Sequence, residues 1–483
     1  MLLGVNALNH DASLSLLDGD RILFAAHSER YSRIKNDRRL NREIVEDLLR
    51  YGKPEQIIWA DNPFLKTLRK LYSGERPLFD GVRSHLKEVG LGDIKIQTVG
   101  HHRAHAAMGY YTSGMDDAAV LVMDAIGEWD TTTVWHAQGS SLRRIAGIGY
   151  PHSFGLFYSA MTKALGLKPN EEEYILMGMA ALGKPYHADE ILKDLFESFD
   201  PPYITLRQNL HKGVGDYLKD KDWEDHDIAA SVQEIAERYV LSSAGYIKDA
   251  LRTDNLVLSG GVALNCVANG KLRDRDLFKN IWVPPNPGDA GLSLGAVLAV
   301  TQKQVAFDHA YLGTDILRSV DIDLIIETLL QAGMAGIANG RAEFGPRALG
   351  NRSILADPRG PDVKDRVNSI KRREEFRPFA PVILEEHAEK YFHNIGYNQR
   401  YMQWTNTCLY PEQFPAIIHV DKTSRIQTVP DSDTLIRRIL EAWHERTGCP
   451  MLLNTSMNIK GEPLVNTWSD AMRFQAVTGV RVF

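Results

Sequence analysis

Short apolar runs separated by polar turns open the chain. LLGVNALNHDASLSLLDGDRILFAAHSER reads as a β-hairpin about an Asn9-His10-Asp11 tip, with an Asp18-Gly19-Asp20 turn leading to a third strand. The pattern returns over residues 118–136, AAVLVMDAIGEWDTTTVWH, as strand, acidic turn, strand. Residues 255–265, NLVLSGGVALN, predict a strand running into a Gly-rich turn and a helix. Between these units, residues 152–165 and 229–252 repeat apolar positions at helical spacing and predict core helices. Past residue 310 the period changes again. Residues 322–332 predict a helix and 334–339 a strand, and a stretch rich in glycine and arginine follows directly. Residues 433–446 predict a further helix, with Gly448 near its C-cap and Pro450 beyond, before a short strand at 451–453 opens into Asn454-Thr455-Ser456.

Two hairpin-opened halves followed by a strand-Gly-Gly-helix element outline the actin-like ATPase architecture, whose hairpin turns face nucleotide phosphates. At 483 residues the chain exceeds one ordinary core, so two or three domains are expected. Charged residues at 24% and hydrophobic ones at 44% give a globular composition without disordered tracts. No apolar run reaches the ~18 residues of a membrane span, and the opening MLLGVNALNHDAS lacks the features of a secretory leader. A cytoplasmic protein with no membrane partner is expected. Cys266, Cys408 and Cys449 are odd in number and far apart, which argues for reduced core residues over disulfides or a CxxC metal site. A net charge of -6 gives no general attraction to nucleic acid, although a local basic groove remains open.

Residues 340–359, GRAEFGPRALGNRSILADPR, depart from that acidic balance. From 340 to 380 there are ten Lys/Arg against six Asp/Glu. Arginine forks suit phosphate or carboxylate oxygens, and glycine lets backbone N–H groups approach the same anion. The interleaved Phe344, Leu349, Ile354 and Leu355 point to a packed pocket rather than a solvated loop. Lys371, Arg372, Arg373 and Arg377 extend the positive field, while Asn454, Ser456 and Asn458 offer neutral hydrogen bonds. In GHHRAHAAMGYY, His101 and His105 are four apart, the spacing at which one helix face offers two imidazoles to one ion. Asp124 closes the strand VLVMD and Asp289 lies in PPNPGDAG. Singly, such histidines pack and such aspartates cap turns. Together they suit a divalent ion, iron foremost, with manganese or zinc as alternatives, and His102 and Glu128 lie close enough in sequence to support them. The turn Ser259-Gly260-Gly261 offers backbone amides to a nucleotide.

HHRAHAA, MDAIGEWD, SGGVALN, NPGDAG, GRAEFGPRALGNRSILADPR, FRPFAP, HVDKTSRIQTV and LLNTSMNIKGEP occur in the order found in the NodU/CmcH carbamoyltransferases, which the chain resembles over nearly its whole length. The resemblance implies an α/β fold: a duplicated ASKHA (actin-like ATPase) domain over residues 1–310 and a YrdC-like α/β domain over 311–483. It implies that the second domain makes carbamoyl-adenylate from carbamoyl phosphate and ATP, with Mg2+ accompanying the nucleotide. The first then passes the carbamoyl group to the hydroxyl of a small molecule or nucleoside. By motif, His101, His105, Asp124 and Asp289 look like metal ligands, and Gly260, Gly261 and Asn265 like part of the adenylate site. Asn454 offers a further polar contact there. Arg347, Arg352, Lys371, Arg377 and Ser456 match positions that hold carbamoyl phosphate and the ATP phosphates, and His10 is expected to help deprotonate the acceptor. Ile175 departs from the family's pattern, EYKxMGLA, where a basic residue is expected, which bears on acceptor recognition. Two rivals stand beside this reading: a tRNA threonylcarbamoyladenosine-type enzyme, and a non-catalytic actin-like ATP-binding regulator. Base rates for soluble enzymes favour a homodimer.

Overall fold

Three antiparallel strands, β1 (Leu2–Asn6), β2 (Ser13–Asp18) and β3 (Arg21–His27), begin the chain. Two parallel strands, β4 (Gln56–Ala60) and β5 (Lys95–Val99), extend the other side of β1 to give the order β3-β2-β1-β4-β5. The same design recurs. Strands β6 (Asp117–Gly127), β7 (Asp130–Gln138) and β8 (Ser141–Gly149) form an antiparallel meander, and β9 (Asn255–Ser259) and β10 (Asn280–Trp282) add parallel to β6, giving β8-β7-β6-β9-β10. This repeat is the duplication that the strand-turn-strand pattern predicts. The central strands β1 and β6 are covered on both faces, which is why their apolar residues run continuously instead of alternating.

The structure is a computed structural model that describes residues 1–75 and 81–483. Its fold is mixed α/β, in two units: one formed by Met1–Ser28 and Asn36–Asp308, the other by Glu29–Lys35 and His309–Phe483. The helices of the first unit include α1 (His101–Tyr111), α2 (Phe154–Ala164), α3 (Glu173–Met179), α4 (Asp225–Leu251), α5 (Cys266–Arg273) and α6 (Leu292–Thr301). Helix α6 packs on β1, β2 and β4, α1 packs on β6 and β9, and the two helices pack on each other. Both are buried nearly all round, as helices between two sheets must be. Their approach is close: a Cβ on Gly295 would lie 2.1 Å from the carbonyl oxygen of Ala104.

The second unit has a sheet of its own, ordered β12-β14-β17-β15-β16, beside a two-stranded ladder of β11 (Tyr311–Ile316) and β13 (Gly340–Glu343). The larger sheet comprises β12 (Met334–Ala338), β14 (Arg352–Ala356), β15 (Ala380–Leu384), β16 (Gln427–Val429) and β17 (Met451–Ser456), antiparallel except for the β15/β16 pair. Helices α7 (Ile322–Ala332), α8 (Val363–Lys371), α9 (Leu435–Thr447) and α10 (Trp468–Thr478) accompany it. Strand β17 runs beyond the predicted 451–453 because Asn454, Thr455 and Ser456 pair with Leu355, Ile354 and Ser353 of β14. Gly448 caps α9 at φ +69°. All three cysteines are buried and unbridged. Among the described residues, no helix is long and apolar enough to cross a membrane.

Candidate functional site

One end of the first unit gathers five acidic or imidazole-bearing segments. Asp61 follows β4, α1 begins at His101, Asp124 lies near the end of β6, Asp289 precedes α6, and the β1–β2 tip carries His10 and Asp11. The first turn of α1 aims both histidines the same way. His101 Nε2 lies 3.3 Å from Asp124 Oδ2 and 3.5 Å from Asp289 Oδ1, and His105 Nε2 lies 3.5 Å from the same Asp289 oxygen. One ligating atom from each of His101, His105, Asp124 and Asp289 falls within 4.8 Å of the others. Both Nε2 atoms are buried without a hydrogen-bond partner. Orphaned imidazole nitrogens facing two carboxylates are what a divalent-cation site with N and O ligands requires, so these residues fit the ion that the spacing predicts.

Local structure explains the convergence. A register shift in the β6–β7 ladder between Met123 and Gly127 turns the end of β6 inward. A Cβ on Gly127 would lie 2.3 Å from His101 Cδ2, so the imidazole packs where any larger residue would stand. The N–H of Gly261 donates to Asp124 Oδ1 at 3.2 Å, and Gly260, at φ +88°, donates its N–H to the Pro287 carbonyl. The Gly-Gly turn therefore braces the carboxylate segments. Asn265 caps α5 through the Ala268 N–H and forms a two-way amide pair with Gln233 of α4. Asn6, fully buried, donates to the carbonyls of His10, Asp11 and Asp289 and so ties the tip to the start of α6.

Burial opposes charge on His101, yet Asp289, Asp61 and Asp124 outweigh it and raise its pKa well above the ordinary value. Burial likewise acts against the charged form of Asp289, and the two histidines overcome it, holding this carboxyl well below the usual range. Burial pulls His10 down, but the hydrogen bond and charge of Asp11, with Asp289 and Asp124, push it up to about 9. Its Nδ1 is 2.9 Å from Asp11 Oδ2. His102 faces the other way, with Nδ1 2.9 Å from Thr133 Oγ1. Glu128 accepts the Asn62 N–H near the start of α1. Ile175 is 2% exposed and packs in the core.

In the second unit the Gly/Arg segment folds differently from the anion cradle that its composition predicts. Glu343 is buried, and its Oε1 accepts the N–H groups of Leu349 at 2.7 Å, Asn351 at 3.0 Å and Arg352 at 3.3 Å. An internal carboxylate thus occupies the backbone nest. Arg352 is fully buried and donates to the carbonyls of Asn466, Asn339, Gly340, Asn351 and Thr314 at 2.9–3.1 Å. With every guanidinium nitrogen so engaged, it ties five stretches of backbone together. Asn454 donates to Ala348 O and Gln427 Oε1, pinning the same loop to β16.

A separate cationic group lies along α8 and the end of β17. Lys371 Nζ contacts the Ser456 carbonyl, Ser456 Oγ at 3.2 Å, and Asn458 O and Oδ1, each at 3.0 Å. Burial, then the charges of Arg373 and Arg377, hold its pKa well below the ordinary lysine value. Arg377 reaches Glu374 at 3.3 Å, and Arg347 is half-buried in the loop after β13.

Residues 61–298 match the family model described as Carbamoyltransferase N-terminus, and residues 326–483 match Carbamoyltransferase C-terminus. The chain belongs to the NodU/CmcH-type carbamoyltransferase family. The four-ligand cluster falls inside the first match and the Lys371 group inside the second; His10 lies before both. The chain is 33% identical to an uncharacterised protein of Synechocystis, over 98% of this chain and 93% of that one. It is 27% identical to the 3'-hydroxymethylcephem-O-carbamoyltransferase of Amycolatopsis lactamdurans, over 98% and 95%. Among solved structures, full-length HypF in its phosphate- and nucleotide-bound form aligns with a TM-score of 0.42 and 16% identity, covering 62% of this chain and 55% of that one. The two family matches and the named carbamoyltransferase relative mark the chain as an enzyme.

Sequence reasoning about this carbamoyltransferase passes over Asp61, Asn6, Glu343 and Arg30. Asp61 carries the same signal that flags Asp124, an aspartate closing an apolar strand, here IIWAD. Arg30 has none: it is buried and donates to the Gly345 carbonyl at 2.6 Å from a segment remote in sequence. Arg425, in HVDKTSRIQTV, holds a buried Nε without a hydrogen-bond partner.

Proposed function

We propose that this chain is an ATP-dependent O-carbamoyltransferase that works in two stages. The second unit, read as YrdC-like, uses carbamoyl phosphate and Mg2+-bound ATP. Water cleaves the carbamoyl–phosphate bond to give carbamate and phosphate, and a carbamate oxygen then attacks the α-phosphorus of ATP. Carbamoyl-adenylate forms and pyrophosphate leaves. The first unit, read as a duplicated ASKHA domain, then transfers the carbamoyl group. The acceptor hydroxyl oxygen bonds to the carbamoyl carbon, the bond to AMP breaks, and AMP departs with the electron pair.

The observation that carries this reading is the presence of two chemically opposite clusters in one chain. Lys371 is buried against oxygens of Ser456 and Asn458 alone, none of them charged, with Arg373 and Arg377 close enough to depress its pKa. A buried cationic group held by neutral oxygens favours a multiply charged anion. Lys371, Arg347, Arg377 and Ser456 would hold the phosphate oxygens and stabilise charge as pyrophosphate leaves. Arg352 and Asn454 support that group by shaping the loop that carries Arg347. In the first unit, His101, His105, Asp124 and Asp289 would hold a divalent ion, iron foremost, which when bound polarises the carbamoyl carbonyl as a Lewis acid. Gly260, Gly261 and Asn265 would shape the adenylate side of that centre through the turn that braces Asp124. His10, aligned by Asp11, takes the hydroxyl proton once a bound cation offsets Asp124 and Asp289, two of the charges that raise its pKa. The acceptor is a hydroxyl-bearing small molecule or nucleoside.

The test is isotope exchange. Purified protein given ATP, carbamoyl phosphate and labelled pyrophosphate should move label into ATP; metal-loaded protein that shows no exchange sinks the proposal. Lys371→Ala should abolish exchange, whereas His105→Ala should retain it and lose transfer by at least about 100-fold. Equal loss of exchange in both variants would overturn the division into two sites.

A further inference from the structure

Asp61 lies outside the four-ligand cluster, yet its geometry is specific. Its Oδ1 is 2.8 Å from His101 Nδ1, and both side chains are 2% exposed. Its Oδ2 accepts from Lys66 Nζ at 3.2 Å and also from Asn9 Nδ2. The residue sits at φ +128°, in the region where side chains other than glycine are strained. Such a conformation persists only where surrounding contacts over-determine it, and it concentrates at functional sites. Three partners and a buried N–H bond to the Val99 carbonyl at 2.9 Å do so here.

The two histidines of α1 are not held alike. Both ring nitrogens of His105 are buried without a hydrogen-bond partner, whereas His101 is anchored at Nδ1 and open only at Nε2. An imidazole that donates Nδ1–H to a carboxylate presents its Nε2 lone pair in a fixed direction and as a stronger donor to a metal. For His101 that direction leads to Asp124 and Asp289. Asn9 belongs to the same β1–β2 tip as His10 and Asp11, so the Asp61 carboxylate also links the tip to the metal-facing ring.

We infer that Asp61 is the positioning residue of the metal centre: it fixes His101 in the Nδ1–H form with Nε2 toward the ion, and through Asn9 it sets the His10 tip against that centre. The inference rests on reading the four-ligand cluster as a metal site. Its closing experiment separates the two. Full-length wild-type and Asp61→Asn proteins are titrated with Mn2+ and Zn2+ by calorimetry, and 15N spectra of the histidines are recorded for the Zn2+-loaded wild type. Asp61→Asn is expected to bind each ion about 10- to 100-fold more weakly while retaining pyrophosphate exchange. The loaded wild type is expected to show a protonated His101 Nδ1 and a metal-bound Nε2. Equal affinity of the two proteins, or Zn2+ on His101 Nδ1, overturns the role of Asp61. Failure of the wild type to bind either ion instead overturns the metal site. The wild-type spectrum decides the question even if the substituted chain does not fold.

Discussion

Arg352 shows how one residue's surroundings decide its role. In sequence it stands among three other arginines and looks like a phosphate ligand; in the fold its nitrogens point at five carbonyls that converge from β12, β13, the following loop, β11 and the turn before α10. An arginine so placed organises backbone, and the nearby Glu343 carboxylate offsets its buried charge. Arg352→Ala should therefore destabilise the chain by about 2–4 kcal/mol, since several carbonyls lose charge-assisted donors and Glu343 loses a neighbouring cation. Urea unfolding would measure this. Lys371→Ala should lose pyrophosphate exchange with a much smaller change in stability. If Arg352→Ala lost exchange at unchanged stability, the residue would be a ligand after all.

At the scale of elements, the geometry of the His101/His105/Asp124/Asp289 cluster depends on how closely α1 and α6 approach, because one carries His101 and His105 and the other follows Asp289. Gly295 sets that distance. An added methyl 2.1 Å from the Ala104 carbonyl must push the helices apart, and Gly295→Ala should cost about 1–3 kcal/mol by overpacking and weaken Mn2+ binding with it. Calorimetric titration beside thermal unfolding would detect both; full metal affinity in a destabilised variant would show that the helix spacing does not set the site. Some elements were legible from periodicity, whereas β4, β5, β15, β16, α8 and α10 were not. The 322–332 helix follows its apolar stripe, and the doubled sheet follows from two strand-turn-strand signals. The histidine half of the His101/His105/Asp124/Asp289 cluster was legible because helical spacing brings His101 and His105 to one face whatever surrounds them. Contacts made by chain segments remote in sequence were not. Nothing in ERYSRIK indicates that Arg30 and Arg33 bond to the carbonyls of Gly345, Pro463 and Leu464. Composition also leaves the place of Glu343 open, because the backbone amides of Leu349, Asn351 and Arg352 can bind an internal carboxylate as readily as a ligand.

Over the whole molecule, the chain passes from the first unit to the second at Ser28, returns at Asn36, and crosses again after Asp308. The two stages proposed for these units would thus be tied into one chain by more than a single linker. The proposed intermediate, a mixed anhydride, is consumed by water if it diffuses away, so covalent fusion of the two stages has a chemical advantage. Lys371→Ala leaves the His101/His105/Asp124/Asp289 cluster unaltered and His105→Ala leaves the cationic group unaltered, so under the proposed division a mixture contains one working copy of each stage on different molecules. Product formation by the mixture should fall well below that of wild type at equal total protein and rise with protein concentration, because carbamoyl-adenylate must cross solvent between chains. A mixture as fast as wild type at every concentration would mean that the intermediate is freely released and that the fusion does nothing to retain it.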